Sequence, residues 1–230
     1  MTLIIGIPAE DGVIFASDSQ YTSGPVRATG PKIFKLNERA LWGGSGEVAL
    51  IQRVAEKLEA FSEKTEPLTV IRDALAGFVK DAVHSLLQLD FRTQFVSQNP
   101  DALLGLHAGD FLFVEYHDKP RLLHILAYGT PEWIDVQFAA TGNGDLFAHA
   151  LLQKYAGHTL SRERAKLLAY KVMEEAIEVG AYGLGPPIDI WEVGPGGVAH
   201  ASEQEITALK DTAHLLRERE VEMLAKPNAS

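Results

Sequence analysis

Twice along the chain the hydrophobic period changes from two residues to about 3.6 and back, which constrains the fold more than any other feature of the sequence. Residues 3 to 45 alternate short β-branched runs with turn residues: Leu3 to Ile7, a turn at Glu10-Asp11-Gly12, Val13 to Ala16, then Ile33-Phe34 and Leu41-Trp42. These predict four or five antiparallel strands. From Gly46 the period is helical, with Val48, Ile51, Val54, Leu58 and Phe61 on one face, and Pro67 opens a second helix carrying Leu68, Ile71, Leu75, Val79 and Leu86. Strand signals return at Ala102 to His107, Phe111 to His117, Arg121 to Ala127 and Val136 to Ala140. A second helix pair is predicted over Asp145 to Tyr155 and Ser161 to Val179, with Ser161 as an N-cap. A hairpin of Ile188 to Val193 and Val198 to His200 follows, and then a charged helix over residues 203 to 224.

Strands, two helices, strands, two helices, strands is the order of one α+β domain, spanning 1–230, with helices on both outer faces of stacked antiparallel sheets. Residues 203–230 add a charged helix and tail. A doubly wound nucleotide fold would need strand and helix to alternate singly.

Composition narrows the function. Twenty-one Lys and Arg against 31 Asp and Glu give the 230 residues a net charge of −10, a field that repels phosphate backbones and anionic lipid. Neither nucleic acid nor a membrane is expected as a partner. Zero Cys excludes disulfides, thiolate metal sites and Cys nucleophiles, and fits a reducing, cytoplasmic location. No apolar run reaches the roughly 18 residues of a membrane span, and the start lacks the marks of a signal peptide, so the N-terminus is expected to belong to the fold. The eight His form no HExxH or i,i+4 pair, so no metal and no organic cofactor is expected.

The candidate chemistry begins at Thr2, which trimming of Met1 would expose. A terminal Thr carries a hydroxyl nucleophile and an α-amine whose reference pKa of about 8 suits it as a base near neutral pH. Asp18 ends the second strand in Ala16-Ser17-Asp18-Ser19-Gln20, and Lys32 opens the next in Gly30-Pro31-Lys32-Ile33-Phe34. A Lys near the hydroxyl lowers its effective pKa, and an Asp holds that Lys oriented and charged. Lys32 lies outside the apolar pattern, so its loss is expected to fall on chemistry and leave the fold intact.

Together these residues make the sequence resemble the proteasome β-subunit and HslV peptidase family of N-terminal-nucleophile hydrolases. The match runs through Thr2-x-x-x-Gly6, Asp11-Gly12-Val13-Ile14-Phe15-Ala16-Ser17-Asp18, Lys32-Ile33-Phe34, a Gly43-Gly44-Ser45-Gly46 turn into a helix, and Ala140-Thr141-Gly142-Asn143-Gly144 before another. It covers residues 2 to about 200 in order. The resemblance implies a four-layer αββα sandwich, with Thr2 as nucleophile and base, Asp18 and Lys32 as its charge partners and the Gly43 N–H as oxyanion donor. It places Tyr21, Thr22, Leu41 and Asn143 at the substrate cleft. It further implies a self-compartmentalising homo-oligomeric ring, a peptide or unfolded-protein substrate, and an ATP-dependent unfoldase as a further partner.

Two departures bear on activity. Asn143 stands where the family commonly places Ser in a Gly-Ser-Gly turn, and it cannot relay a proton as a hydroxyl does. The family's Arg-Asp-x-x-Ser-Gly-Gly segment before the last hairpin is here Gly180-Ala181-Tyr182-Gly183-Leu184-Gly185-Pro186-Pro187, with neither Asp nor Ser. The threonine-peptidase reading therefore has two rivals: a catalytically inactive scaffold ring of the same fold, and an amidase acting on a small non-peptide amide.

Overall fold

Period-two runs become strands and 3.6-period runs become helices in the computed structural model, which describes residues 2–23, 26–86, 109–126, 128–135, 138–180 and 183–225. The first third forms β1 (Ile4–Ala9), β2 (Gly12–Asp18), β3 (Gln20–Ser23), β4 (Val26–Thr29), β5 (Ile33–Asn37) and β6 (Ala40–Gly46), more strands than the four or five expected. Two helices follow, α1 (Val48–Leu58) with a 3-10 turn at Glu59–Phe61, and α2 (Leu68–Ser85). Next come β7 (Gly109–Tyr116), β8 (Pro120–Ile125), β9 (Pro131–Trp133) and β10 (Ala139–Thr141), then α3 (Asp145–Leu152) and α4 (Arg162–Val179). The chain closes with β11 (Ile188–Gly194), β12 (Gly197–His200) and α5 (Glu203–Ala225). The strand expected over Ala102 to His107 lies outside the described residues.

The strands form two five-stranded antiparallel sheets, ordered β10-β1-β2-β11-β12 and β5-β6-β7-β8-β9, with β3-β4 as a separate hairpin. Alternation decides what each face meets. Ile4, Val13 and Phe15 of the first sheet pack on Ile33, Leu41, Leu112 and Val114 of the second. The outer face of the second sheet, with Trp42, Phe111 and Phe113, is covered by Leu50, Val54, Leu75 and Val79 of α1 and α2. Ile5, Ile14 and Ala16 of the first sheet are covered by Ala148 of α3, Leu168 and Met173 of α4, and Ala213 of α5. The fold is thus a four-layer αββα sandwich of the N-terminal-nucleophile hydrolase type.

Helix starts are held by side chains that accept their free N–H groups. The Ser161 hydroxyl accepts the Arg164 N–H at 3.4 Å, as an N-cap does, and the buried Glu115 carboxylate reaches from β7 to accept the Leu68 N–H at 2.7 Å. Among the described residues no helix is long and apolar enough to cross a membrane.

One local expectation is overturned. Gly43-Gly44-Ser45-Gly46 is the end of strand β6 and not a turn; the break comes at Glu47, before α1. Small residues are needed there because both faces of β6 are crowded. A Cβ on Gly43 would lie 3.0 Å from Ile4 Cδ1, and one on Gly44 would lie 2.9 Å from Phe111 Cε1.

Candidate active site

Thr2 lies two residues before the first residue of β1, at the end of the seam between the sheets, where apolar packing gives way to polar side chains. Ser45 Oγ of β6 and Thr141 Oγ1 of β10 lie 3.2 Å apart, both buried, and tie the two sheets together at that end. Thr2 is 8% exposed and its backbone is held from two sides. On one side its carbonyl accepts the Gly144 N–H at 3.4 Å, across the tight turn after β10. Gly142 in that turn has φ +100°, and a Cβ there would fall 2.2 Å from the Thr2 carbonyl oxygen.

On the other side the backbone is pinned by Asp18. The Leu3 N–H donates to Asp18 Oδ1 at 3.0 Å, while the Asp18 N–H donates to the Leu3 carbonyl at 3.2 Å. The same Oδ1 accepts Lys32 Nζ at 2.6 Å. Oδ2 accepts two backbone donors, Gln20 N–H and Gly185 N–H, each at 3.2 Å. Asp18 is 0% exposed and Lys32 2%, so the ion pair lies out of water. Four donors on one buried carboxylate replace the hydration it loses.

Burial pulls the Lys32 ammonium below its ordinary pKa near 10.5, and the charge and hydrogen bond of Asp18 partly restore it. The Tyr21 ring centroid is 5.3 Å from Lys32 Nζ. Its hydroxyl donates to the Pro31 carbonyl, and burial, followed by the Asp18 charge, pushes the phenol up. An ordered, protonated ring thus forms one wall beside Lys32.

Among the residues singled out in the sequence, Asp18, Lys32 and Tyr21 fall into one cluster, which the Leu3 N–H ties to the residue after Thr2. Asn143 is exposed, one residue beyond Gly142. Thr22 pairs with Arg27 in the β3–β4 hairpin, and its side chain lies outside the described residues. Two assignments are corrected. Leu41 does not line a cleft: it is fully buried in the inter-sheet core, because its alternation phase on β6 turns it toward Ile4 and Phe15. Gly43 is flanked by Ile33 of β5 and Leu112 of β7, so its N–H is aimed at a neighbouring strand and not at a substrate. The independence of Lys32 from the fold is also corrected, since it is among the largest fully buried side chains.

The Ser45–Thr141 contact and the Gly185 donor were not foreseen. Among the described residues no three His, Asp or Glu side chains converge as metal ligands would.

Comparison with known proteins now bears on this arrangement. A model of the proteasome subunit family matches residues 2–186. The chain belongs to that family. Proteasome subunit beta 2 of Pyrobaculum neutrophilum is 28% identical over 204 residues, covering 88% of this chain and 92% of that protein. Proteasome subunit beta 2 of Thermococcus gammatolerans is 25% identical over 180 residues, covering 76% and 81%. Among solved structures, Anbu (ancestral beta-subunit) from Yersinia bercovieri superposes with a TM-score of 0.75 at 14% identity, over 99% of both chains. At that identity the likeness speaks for the fold.

The turn that this proteasome-family chain packs on Thr2 yields the first prediction. Gly142→Ala puts a methyl group into the Thr2 carbonyl and asks an L-residue to adopt φ +100°, so the turn must move and take Thr2 with it. The expected cost is about 1–3 kcal/mol of stability, read as a lower melting temperature. A variant with wild-type melting would show that the turn does not hold Thr2.

Proposed function

We propose that this protein is an N-terminal threonine hydrolase that cleaves peptide amide bonds. The observation that carries the reading is the buried Asp18 carboxylate, which grips both the backbone beside Thr2 and the Lys32 ammonium through a single oxygen. That geometry suits a hydroxyl activated by an adjacent charge and by its own α-amine. In the proposed cycle the Thr2 hydroxyl attacks the carbonyl carbon, and the α-amine takes its proton and returns it to the leaving amine. Water then hydrolyses the acyl ester at Thr2.

A backbone donor for the oxyanion remains available at the end of β6. The β5 ladder stops at Ile33–Gly43, so beyond it one row of β6 backbone groups faces the Lys32 side with no paired strand among the described residues. An N–H within Gly44–Gly46, aimed at developing charge at a partly dry site, is the donor we assign in place of Gly43.

The pH profile follows from the two charges. The α-amine must be neutral to act as base, so the rate is expected to rise through the ordinary α-amine range near about pH 8. Burial favours neutral Lys32, so its charge is lost at lower pH than that of an exposed lysine. The rate is therefore expected to fall along an alkaline limb below the ordinary lysine value. A profile flat through that region would remove Lys32 from the chemistry.

We further propose a closed homo-oligomeric ring in the cytoplasm, taking peptide or unfolded-protein substrates, with an unfoldase as docking partner. The membership of the proteasome subunit family supports the ring. Native mass spectrometry of protein from its own host tests ring and mechanism together. The expected result is an assembly of roughly six or more copies, each lacking Met1. Subunits that retain Met1 have no free Thr2 amine, and that result would exclude the mechanism. A monomer would exclude the ring.

A second reading, an inactive ring scaffold, is favoured by one observation: residues 183–187 bring no acidic or hydroxyl side chain to Asp18.

A further inference from the structure

The stretch Gly183-Leu184-Gly185-Pro186-Pro187 carries neither Asp nor Ser, yet it is docked on Asp18. Gly185 N–H donates to Asp18 Oδ2 at 3.2 Å, and the Gly185 carbonyl accepts Ser19 N–H at 3.1 Å. Gln20 completes the arrangement from β3. Its backbone N–H donates to the same Oδ2 at 3.2 Å, and its side-chain Nε2 crosses to the Gly183 carbonyl at 2.8 Å. A Cβ on Gly185 would lie 2.3 Å from Gln20 Oε1, so the Gln20 amide fills the space a side chain at 185 would take.

We propose that Gln20 is a positioning residue for the nucleophile, pinning residues 183–185 so that Gly185 N–H and its own N–H lock the Asp18 carboxylate against Leu3 and Lys32. The support that polar side chains before the last hairpin would give comes instead from β3 and from the backbone. The proposal rests on Thr2 being the nucleophile.

Each Asp18 oxygen holds two donors, and the pair on Oδ2 helps fix the rotation of the carboxylate that keeps Oδ1 on Leu3 and Lys32. Release of Gly185 leaves Oδ2 with the Gln20 N–H alone. The carboxylate is then freer to rotate, which slackens the grip on the residue after Thr2 and on Lys32. Misplacement by a fraction of an ångström at a reacting centre costs rate without costing much binding. Lys32 is faced by the Asp18 carboxylate from β2 and by the Tyr21 ring from β3, so a weaker Asp18 contact lowers its proton affinity.

The test compares wild type with Gln20→Met, which keeps length and loses the amide, and with Gln20→Glu, which sets a carboxylate against the Gly183 carbonyl. Labelling of Thr2 by an electrophile is followed against pH, peptide hydrolysis is resolved into kcat and KM, and backbone hydrogen exchange is read at Ser19 and Gly185. Both variants are expected to label about ten-fold more slowly or worse, with kcat falling and KM little changed. In Gln20→Met the alkaline limb should move to lower pH, and both amides should exchange faster. Wild-type labelling with an unmoved pH profile would overturn the positioning role even if exchange rises. If wild type itself fails to label, the hydrolase reading fails. Exchange then decides the contact alone: faster exchange in Gln20→Met upholds the pinning of 183–185, and unchanged exchange overturns it.

Discussion

Thr2→Ala is expected to abolish hydrolysis, lowering the rate by about 10^4-fold or more, with the assembly and melting temperature nearly unchanged. The α-amine remains in the variant, so a base is present but no hydroxyl. The Thr2 backbone carries the contacts to Gly144 and Gly142, and an Ala backbone makes the same ones. The pair of outcomes distinguishes nucleophile from structural residue. A variant that hydrolyses peptide at even a tenth of the wild-type rate would place the nucleophile elsewhere.

The buried ion pair carries the second large effect, and here stability and chemistry move together. Asp18→Asn leaves the Lys32 ammonium buried without its counter-charge and sets an amide among four donors. Breaking a buried pair from one side costs about 3–5 kcal/mol. In a chain of this length that lowers the melting temperature by about 10 °C. Lys32→Met should destabilise less, because Asp18 keeps its three backbone donors, and should slow hydrolysis by about 100- to 1000-fold. Combining the two substitutions removes both charges and should recover part of the lost stability while activity stays absent. Additive melting losses in the double variant would mean that the two side chains act independently.

Much of this was legible in the sequence, for identifiable reasons. The helices announce themselves because an outer layer shows one apolar stripe and one wet face, as Val54, Leu58, Leu75 and Val79 do. Asp18 ends β2 and Lys32 directly precedes β5, but neither they nor Thr2 stand out singly; it is the family resemblance, in order and spacing, that sets the three apart. Leu41 and Gly43 misled for a local reason. Four small residues in a row look like a turn, but Leu41, Gly43 and Ser45 share one face of β6, while Trp42 and Gly44 share the other. That period of two was the available signal. The burial of Lys32 was hidden because a lysine beside a proline at a strand start is normally solvated, and its partner Asp18, 14 residues earlier, helps reverse that expectation. The link from Gln20 to Gly183 spans 163 residues and leaves no local trace at all.

The nucleophile itself can be addressed in one measurement. Protein with a free Thr2 is treated with an electrophile that reacts with both the hydroxyl and the amine of an N-terminal threonine, and the adduct is mapped by mass spectrometry. The predicted result is a single stoichiometric adduct on Thr2, formed in wild type and absent from Thr2→Ala. Free Thr2 that remains unmodified, or an adduct mapped to any other residue, would contradict the assignment of this chain as an N-terminal threonine hydrolase.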